Sequence, residues 1–480
     1  AYLPDKADVS DWLDDDNDSS TLLELLESFP EYEPEIEEVT NKMQLETDFS
    51  EDSLALLFIA LHGTEFRWTA GRGWLHYDGA VWQSDQRKSY YSHIQKLCRE
   101  QIALKQDHTN ITRVRSAKTR NGVAELAKHD PRIAMLDDVF KSDPNLLNTP
   151  DGIVDLRTGT VRKNRPEDYC TQITSVSPSN EPPKLFLKTL NEIFLFDEEV
   201  IAFVQRLLGY TATGLTTEQV IVFFYGSGAN GKSLLLDLVA EILGTYAIKL
   251  PINVLMQSKY QRHETEIAQL DGVRLARSSE PERGAVWAEA RIKELTGDKK
   301  ARARQMRKDF YEFLITHKHL VAGNYQPRLS GGDPAMARRM KQIPFNAKFE
   351  GKNCDHDLPK KLMAEAPQIL GWIVEGSIQW YENGLQVPEV IGNASHAYMA
   401  EMDDLCIWME ERCDINPEYS EKASILYADF KAWKTLRSEP PWSAREFGKQ
   451  LTAKKFNKGT SNGLTVYKGI ALSPIREKWN

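Results

Sequence analysis

Apolar positions in this chain fall into short, sharply bounded groups. Val220-Ile-Val-Phe-Phe-Tyr225 is an unbroken run of β-branched and aromatic residues, which predicts a buried strand. A glycine-rich stretch follows. Then Leu234, Leu235, Leu238, Val239, Ile242 and Leu243 recur at helical spacing, and Gly244 stands where such a helix should stop. Val273–Ser279 predicts a second strand, interrupted by Arg274 and Arg277. Leu314 to Gly323 predicts one further strand ending at Asn324, and the residues running to Phe345 predict another.

The flanks carry different patterns. Phe66–Trp68 and Trp74–Tyr77 alternate as strands do, and Asp78-Gly79 before Val81-Trp82 is a hairpin signal. Residues 85–130 are helical in pattern, Asp151–Gly159 reads as turn–strand–turn, and Leu185 to Leu208 is helical. Within the turn–strand–turn, Asp155 and Arg157 are expected to be structural. Residues 351–395 return to helices. Beyond them, Met402–Trp408 and Ile425–Trp433 have helical patterns, and Trp442–Lys455 reads as a basic amphipathic helix capped by Ser443. Leu464–Leu472 after a Gly/Asn-rich turn completes a wing. Strands alternating with helices in the middle predict an α/β core. The expected domains are an acidic tail and linker over 1–48, a mixed α+β domain over 49–205, the α/β core over 206–394 and a winged-helix-like domain over 395–480.

Composition narrows the class. The 480 residues carry 70 acidic and 60 basic side chains, and the first 55 are strongly acidic, so the remainder is close to neutral. Five cysteines stand without a C-x-x-C pair or zinc spacing, which predicts reduced thiols in a cytoplasmic protein. No run approaches 18 apolar residues, and no signal peptide is visible, so no membrane partner is expected. The chain opens on Ala1 within a continuing pattern, which reads as a fragment of a longer protein.

The chemistry centres on Gly226-Ser227-Gly228-Ala229-Asn230-Gly231-Lys232-Ser233, which fits G-x-x-x-x-G-K-[ST] between a strand and a helix. Glycines let the backbone approach a phosphate, and N–H groups at a helix N-terminus point at the anion. Lys232 can reach the β/γ-phosphates of ATP, and the Ser233 hydroxyl can ligate Mg²⁺. A nucleotide hydrolase also needs acids at a strand end. Glu280 and Glu282 qualify, with Glu280 assigned to Mg²⁺ and Glu282 to water activation, or the reverse. Asn324 can orient the lytic water or touch the γ-phosphate. Arg338 and Arg339 can neutralise phosphoryl charge across a subunit interface. Lys299, Lys300, Arg302, Arg304, Arg307 and Lys308 put six cations in ten residues, followed by Phe310 and Tyr311. Cations release counterions from phosphates and aromatics stack on unpaired bases, so this segment is the DNA-binding candidate. Arg445, Lys449, Lys454, Lys455 and Lys458 form a second basic group. His317 and His319 alternate with no third ligand nearby and are not read as a metal site. The motif alone leaves a small-molecule kinase open, and a non-catalytic replication scaffold or loader is the other alternative.

The order of these motifs resembles the C-terminal helicase part of phage and plasmid primases, a superfamily-3 relative of the poxvirus primase-helicase. The resemblance runs over about residues 55–475 and rests on Ala229–Ser233, Ser279–Glu282, Lys293-Glu-Leu-Thr-Gly297, Asn324 and the Arg338-Arg339 segment. Residues 63–82 and 146–159 resemble the domain preceding the ATPase in that family, and Leu3–Leu13 the end of a Toprim-type primase domain. The resemblance implies an AAA+ fold, a homo-hexameric ring and ATP hydrolysis between subunits. It further implies 3′→5′ movement on single-stranded and forked DNA in the replication of a phage or mobile element. It makes Lys232 and Ser233 the Walker A pair, Glu280 and Glu282 Walker B, Asn324 sensor 1, and Arg339, in preference to Arg338, the arginine finger. Lys299 to Lys308 would face the ring channel.

Overall fold

The computed structural model describes residues 48–473 except 106–109, 141–142, 259–264, 305–308, 330–332, 351–354, 402–403, 438–440 and 462. The acidic tail, the Leu3–Leu13 segment, Arg307 and Lys308 therefore lie outside the described residues. Chain contacts separate two compact units, residues 1–77 with 83–137, and residues 78–82 with 138–480.

The first unit packs helices on a small antiparallel sheet. Helix α1 (Glu51–His62) starts where the Ser50 hydroxyl accepts from Ser53 N–H, with acids in its first turn and His62 in its last. Strands β1 (Phe66–Thr69) and β2 (Gly73–Tyr77) pair antiparallel, with Trp68 opposite Trp74, and β3 (Trp82–Ser84) follows. Helices α2 (Ser89–Lys105), α3 (Ile111–Val114) and α4 (Ala117–Ala127) complete it. Leu54, Phe58, Phe66, Ile94, Leu97 and Val123 form its core.

The second unit opens with the antiparallel β4 (Leu146–Thr149), β5 (Gly152–Asp155) and β6 (Val161–Arg162). Asp155 and Arg157 pair with each other, as a structural role requires. The stretch expected to be one helical region is two helices, α5 (Lys184–Ile193) and α6 (Glu198–Ala212). Leu195 and Phe196 between them take positive φ and lie exposed, while the Asp197 carboxylate caps α6.

Next come β7 (Ile221–Tyr225), α7 (Lys232–Leu243), β8 (Ala247–Lys249), α8 (Thr265–Ala268), β9 (Leu275–Ser279) and α9 (Glu289–Gly297). An antiparallel hairpin, β10 (Lys300–Arg304) and β11 (Phe310–Leu314), precedes β12 (Lys318–Gly323). The single strand expected from Leu314 to Gly323 is thus broken at 315–317, and its two parts belong to different sheets. Then follow α10 (Pro334–Arg339), β13 (Met340–Pro344), α11 (Leu358–Met363), α12 (Ala366–Asn383) and α13 (Glu389–Glu401).

Five strands make an all-parallel sheet in the order β13-β7-β12-β9-β8. Strand period decides its burial. Val222, Phe224, Leu320 and Ala322 enter one core with α5, α6, α7 and α12, while Ile221, Phe223, Val321 and Ala276 enter the opposite core. Both faces are covered, which is why β7 reads as continuously apolar. Helices α6 and α12 cross so closely that a Cβ at Gly209 would lie 2.1 Å from Ser377 N. Helix α13 belongs to the sheet as well: Ser395 Oγ accepts from Gln342 N–H and Tyr398 sits in the second core. The expected boundaries after 205 and 394 therefore fall inside α6 and α13.

Two cations are buried where the sheet begins. Arg274, just before β9, donates to the carbonyl oxygens of Ala212 and Leu146, both at 2.5 Å, and lies over the Tyr246 ring. Lys318, the first residue of β12, donates to the carbonyls of Thr213, Leu215 and Thr316. Carbonyls at a helix C-terminus have no intrahelical donor and carry partial negative charge, so they suit buried cations.

Beyond the sheet, α14 (Asp404–Arg412), β14 (Cys413–Lys422), α15 (Ala423–Leu436), α16 (Ala444–Ala453), β15 (Asn457–Ser461) and β16 (Leu464–Leu472) pack around Trp408, Phe430, Phe447 and Tyr467. Ser443 caps α16 as expected, accepting from Glu446 N–H. The sheet order is β14-β16-β15. Strand β14 was not anticipated from the sequence, and it is polar and exposed for most of its length.

Candidate functional site

The carboxyl ends of β7, β12 and β9, three neighbours in the parallel sheet, bring the predicted groups together. Beyond β7 the chain turns through Gly226, Ser227, Gly228, Ala229 and Asn230 to Gly231, which caps α7 at φ +87. A side chain there would also meet Ile193 Cδ1 at 2.6 Å, so both conformation and space call for glycine. No side chain caps the first turn of α7, so its N–H groups remain donors for an anion.

Lys232 is the first residue of α7 and only 3% exposed. Its ammonium donates to Gly226 O at 2.8 Å, Asn230 Oδ1 at 2.8 Å and Asn324 Oδ1 at 3.1 Å. Asn230 in turn donates to Phe345 O, fastening the loop to the end of β13. Burial pulls the Lys232 ammonium below the ordinary lysine value, and the nearby Glu280 carboxylate works against that shift. Asn324, one residue beyond β12, sends Nδ2 towards Glu280 Oε2 at 3.5 Å. Glu280, one residue beyond β9, takes φ 53 while its N–H donates to Ala322 O. A non-glycine residue in this region is strained and is held there by the neighbouring strand.

Ser233 is exposed on the first turn of α7. Glu282 is also exposed, and its carbonyl closes a turn by accepting from Ala285 N–H. Of the two acids, Glu280 is the one that faces the Asn324 amide and whose charge acts on Lys232. The two arginines differ in burial. Arg339 is 6% exposed and donates to Thr296 Oγ1, Ala335 O and Gln219 Oε1, so its guanidinium is committed within the chain. Arg338 lies exposed and donates to Gln219 Oε1 at 2.8 Å.

The basic segment forms a hairpin. Ala301 and Ala303 are buried, which turns Lys300, Arg302 and Arg304 outward along one face of β10, with Lys299 exposed just before it. Arg302 and Arg304 lie over the Phe310 ring at 4.4 and 5.0 Å, and Lys300 stands 3.5 Å from a Glu312 carboxylate oxygen. Phe310 remains 45% exposed. In the C-terminal part, Arg445, Lys449 and Lys458 border one surface pocket, whereas Lys454 is turned to Cys406 Sγ.

A cavity of about 470 Å³ lies beside the loop, and no sequence pattern foretold it. Ala229 and Gly231 form its edge, and Leu185, Ile193, Leu234 and Phe349 give it apolar walls. These residues come from three separate segments, so no local motif marks it. Among the described residues no helix is long and apolar enough to cross a membrane.

Comparison with known proteins places these features. A family model described as "D5 N terminal like" matches residues 55–195. "Putative helicase 121R" of Invertebrate iridescent virus 3 is 24% identical over 363 residues, covering 67% of this chain and 38% of the viral protein. "Putative primase C962R" of African swine fever virus (strain Badajoz 1971 Vero-adapted) is 26% identical over 218 residues, covering 43% of this chain and 23% of the relative. The chain thus spans well under half the length of these relatives. Among solved structures, the apo NrS-1 C terminal region is 12% identical, covers 88% of this chain and all of its own, and has a TM-score of 0.47. In its matching segment and over these stretches the chain is similar to viral putative helicases and primases, a likeness that supports a primase-helicase-like protein.

Proposed function

We propose that this chain is the motor of a DNA helicase, an AAA+ ATPase that works as a homo-hexameric ring. It moves 3′→5′ along single-stranded DNA at a fork in the replication of a phage or mobile element, with a primase domain elsewhere in the longer protein. The observation that carries this reading is the convergence of Lys232, Asn324 and Glu280 at the carboxyl edge of three adjacent parallel strands. Ligands of open α/β sheets sit at that edge.

The residues fit ATP. The Lys232 ammonium is held by neutral oxygens, and a phosphate oxygen is a stronger acceptor in the same reach. The uncapped start of α7 adds N–H donors, and the apolar cavity beside Ala229 and Gly231 suits a flat base. Ser233 and Glu280 would hold Mg²⁺, which when bound neutralises charge on the phosphates. Asn324, one bond from Glu280, orients water for attack. Arg338 reaches the neighbouring subunit's nucleotide, so hydrolysis requires assembly. The outward face of β10, with Arg302 and Arg304 against Phe310, offers phosphate contacts and a stacking surface to single-stranded DNA. The C-terminal helices and sheet support a winged-helix reading, with Arg445, Lys449 and Lys458 as its exposed cations.

Replacing Lys232 with alanine tests the reading. ATP-dependent unwinding by Lys232→Ala should fall by on the order of 100-fold or more. Retained unwinding would remove the motor assignment. ATPase activity stimulated by single-stranded DNA separates a motor from a P-loop small-molecule kinase, whose turnover is indifferent to DNA.

A further inference from the structure

Apart from the nucleotide site, the first unit gathers a second set of chemically capable side chains. Helix α1 ends at His62, the turn after it carries Glu65, and His93 lies in the second turn of α2. Their candidate ligand atoms all lie within 4.8 Å of one another, and among the described residues no other trio of His, Cys, Asp or Glu meets that spacing. His62 Nδ1 stands 3.2 Å from Glu65 Oε2. The imidazoles of His62 and His93 meet edge to face with centroids 4.5 Å apart. Phe58 backs His62 at 5.5 Å, and Phe66 backs His93 at 5.2 Å. All three polar residues are half-buried, so solvent can reach them while apolar walls hold the rings.

We propose that His62, Glu65 and His93 form a binding site for a divalent first-row transition ion, with Zn²⁺ the best fit. Two imidazoles and one carboxylate are a zinc donor set, whereas calcium and magnesium take oxygen donors. Metal–ligand bonds of about 2.0–2.2 Å in a tetrahedron put donor atoms roughly 3.3 Å apart. The His62–Glu65 pair already has that spacing, and side-chain rotation of about 1.5 Å closes the rest. His62 also stands at the C-terminal end of α1, where the helix dipole favours positive charge. An ion pair between residues 62 and 65 explains two of the three groups, but not the approach of His93. Three protein donors leave one coordination position open. The bound ion would tie the end of α1 to α2 across the hairpin between them.

The test uses the full chain, stripped with a chelator and titrated with Zn²⁺ alone by calorimetry. One ion per chain is expected. His62→Ala and His93→Ala should each weaken binding by about 100-fold, and Glu65→Gln by about 10-fold. Co²⁺ in place of Zn²⁺ should give the intense visible bands of a four-coordinate site in the wild type and lose them in His93→Ala. If alanine disturbs folding, as shown by the far-ultraviolet spectrum in chelator, His93→Asn keeps a polar side chain of similar reach. The same stoichiometry and affinity in the doubly substituted His62→Ala/His93→Ala chain would overturn the proposal, because the ion then sits elsewhere. So would wild-type chain that binds no ion and shows no Co²⁺ bands. Neither readout involves ATP, so failure here leaves the motor reading untouched.

Discussion

The two histidines at the start of β12 make the second unit acid-labile. His317 and His319 are 2% and 0% exposed, their rings lie 4.8 Å apart, and none of their ring nitrogens has a hydrogen-bond partner. Burial pulls His319 down to about 4, and burial with His319 and Lys318 alongside pulls His317 well below the ordinary value. Both are therefore neutral in the folded chain at pH 7. In the unfolded chain they take protons near pH 6.5. Below that pH the unfolded state binds more protons, so stability falls as pH falls, across the window from about 6.5 to about 4. At pH 5 an unfolded histidine is about 97% protonated, while one with a folded value of about 4 is about 10% protonated. Linkage then gives a loss of about 2 kcal/mol for His319, and His317 adds a loss of the same sign. Urea unfolding of the wild type and of His317→Gln/His319→Gln between pH 7 and pH 5 measures this directly. Carboxylates that titrate in the same range affect both chains alike and cancel in the difference. The double variant should lose at least about 2 kcal/mol less over the interval, and unfolding of the wild type at pH 5 should take up at least about one more proton than unfolding of the variant. Parallel stability profiles for the two chains would refute the reasoning.

Two other substitutions separate roles that sequence left entangled. Arg339→Ala removes three hydrogen bonds from a buried guanidinium and should lower stability by about 1–3 kcal/mol in denaturant unfolding. Arg338→Ala should unfold like wild type yet bind ATP and hydrolyse it slowly. Doping Arg338→Ala into wild-type chain should restore turnover at mixed interfaces, and no rescue at any ratio would exclude a role in trans. Neutralising Arg302 and Arg304 together with Arg307 should weaken single-strand binding and reduce the slope of affinity against salt by about two to three counterions. An unchanged slope would remove the hairpin from the DNA path.

What the sequence made legible was governed by local chemistry. Strand β7 is apolar on both faces because the sheet is covered on both sides, and Gly231 and Gly244 bracket α7, so strand, turn and helix were all readable. Strand β14 was not, because a run such as Asn416-Pro417-Glu418 carries no alternation and lies exposed. The break between α5 and α6 depends on Leu195 and Phe196 at positive φ, a conformation their hydropathy conceals. The break before β12 fell on Ile315, Thr316 and His317, a buried apolar residue, a half-buried threonine and a buried histidine, so the pattern there signalled neither turn nor surface. In the site, residue type pointed to Glu280, Asn324 and Lys232. That Arg339 is buried and Arg338 exposed depends on the Thr296 and Ala335 oxygens that Arg339 engages, and that is a tertiary fact.

The buried cations at the start of the sheet have a mechanical consequence. Arg274 leads into β9 and Lys318 into β12, and both hold the carbonyls at the end of α6. At their other ends the same two strands lead to Glu280 and Asn324. The pair therefore behaves as two tie-rods bolted to one bracket. Any displacement that changes the spacing of the acid and the amide must stretch a bond to Ala212 or Thr213. A displacement that keeps their spacing drags the bracket with it, and α12, wedged against α6 at Gly209, has to follow.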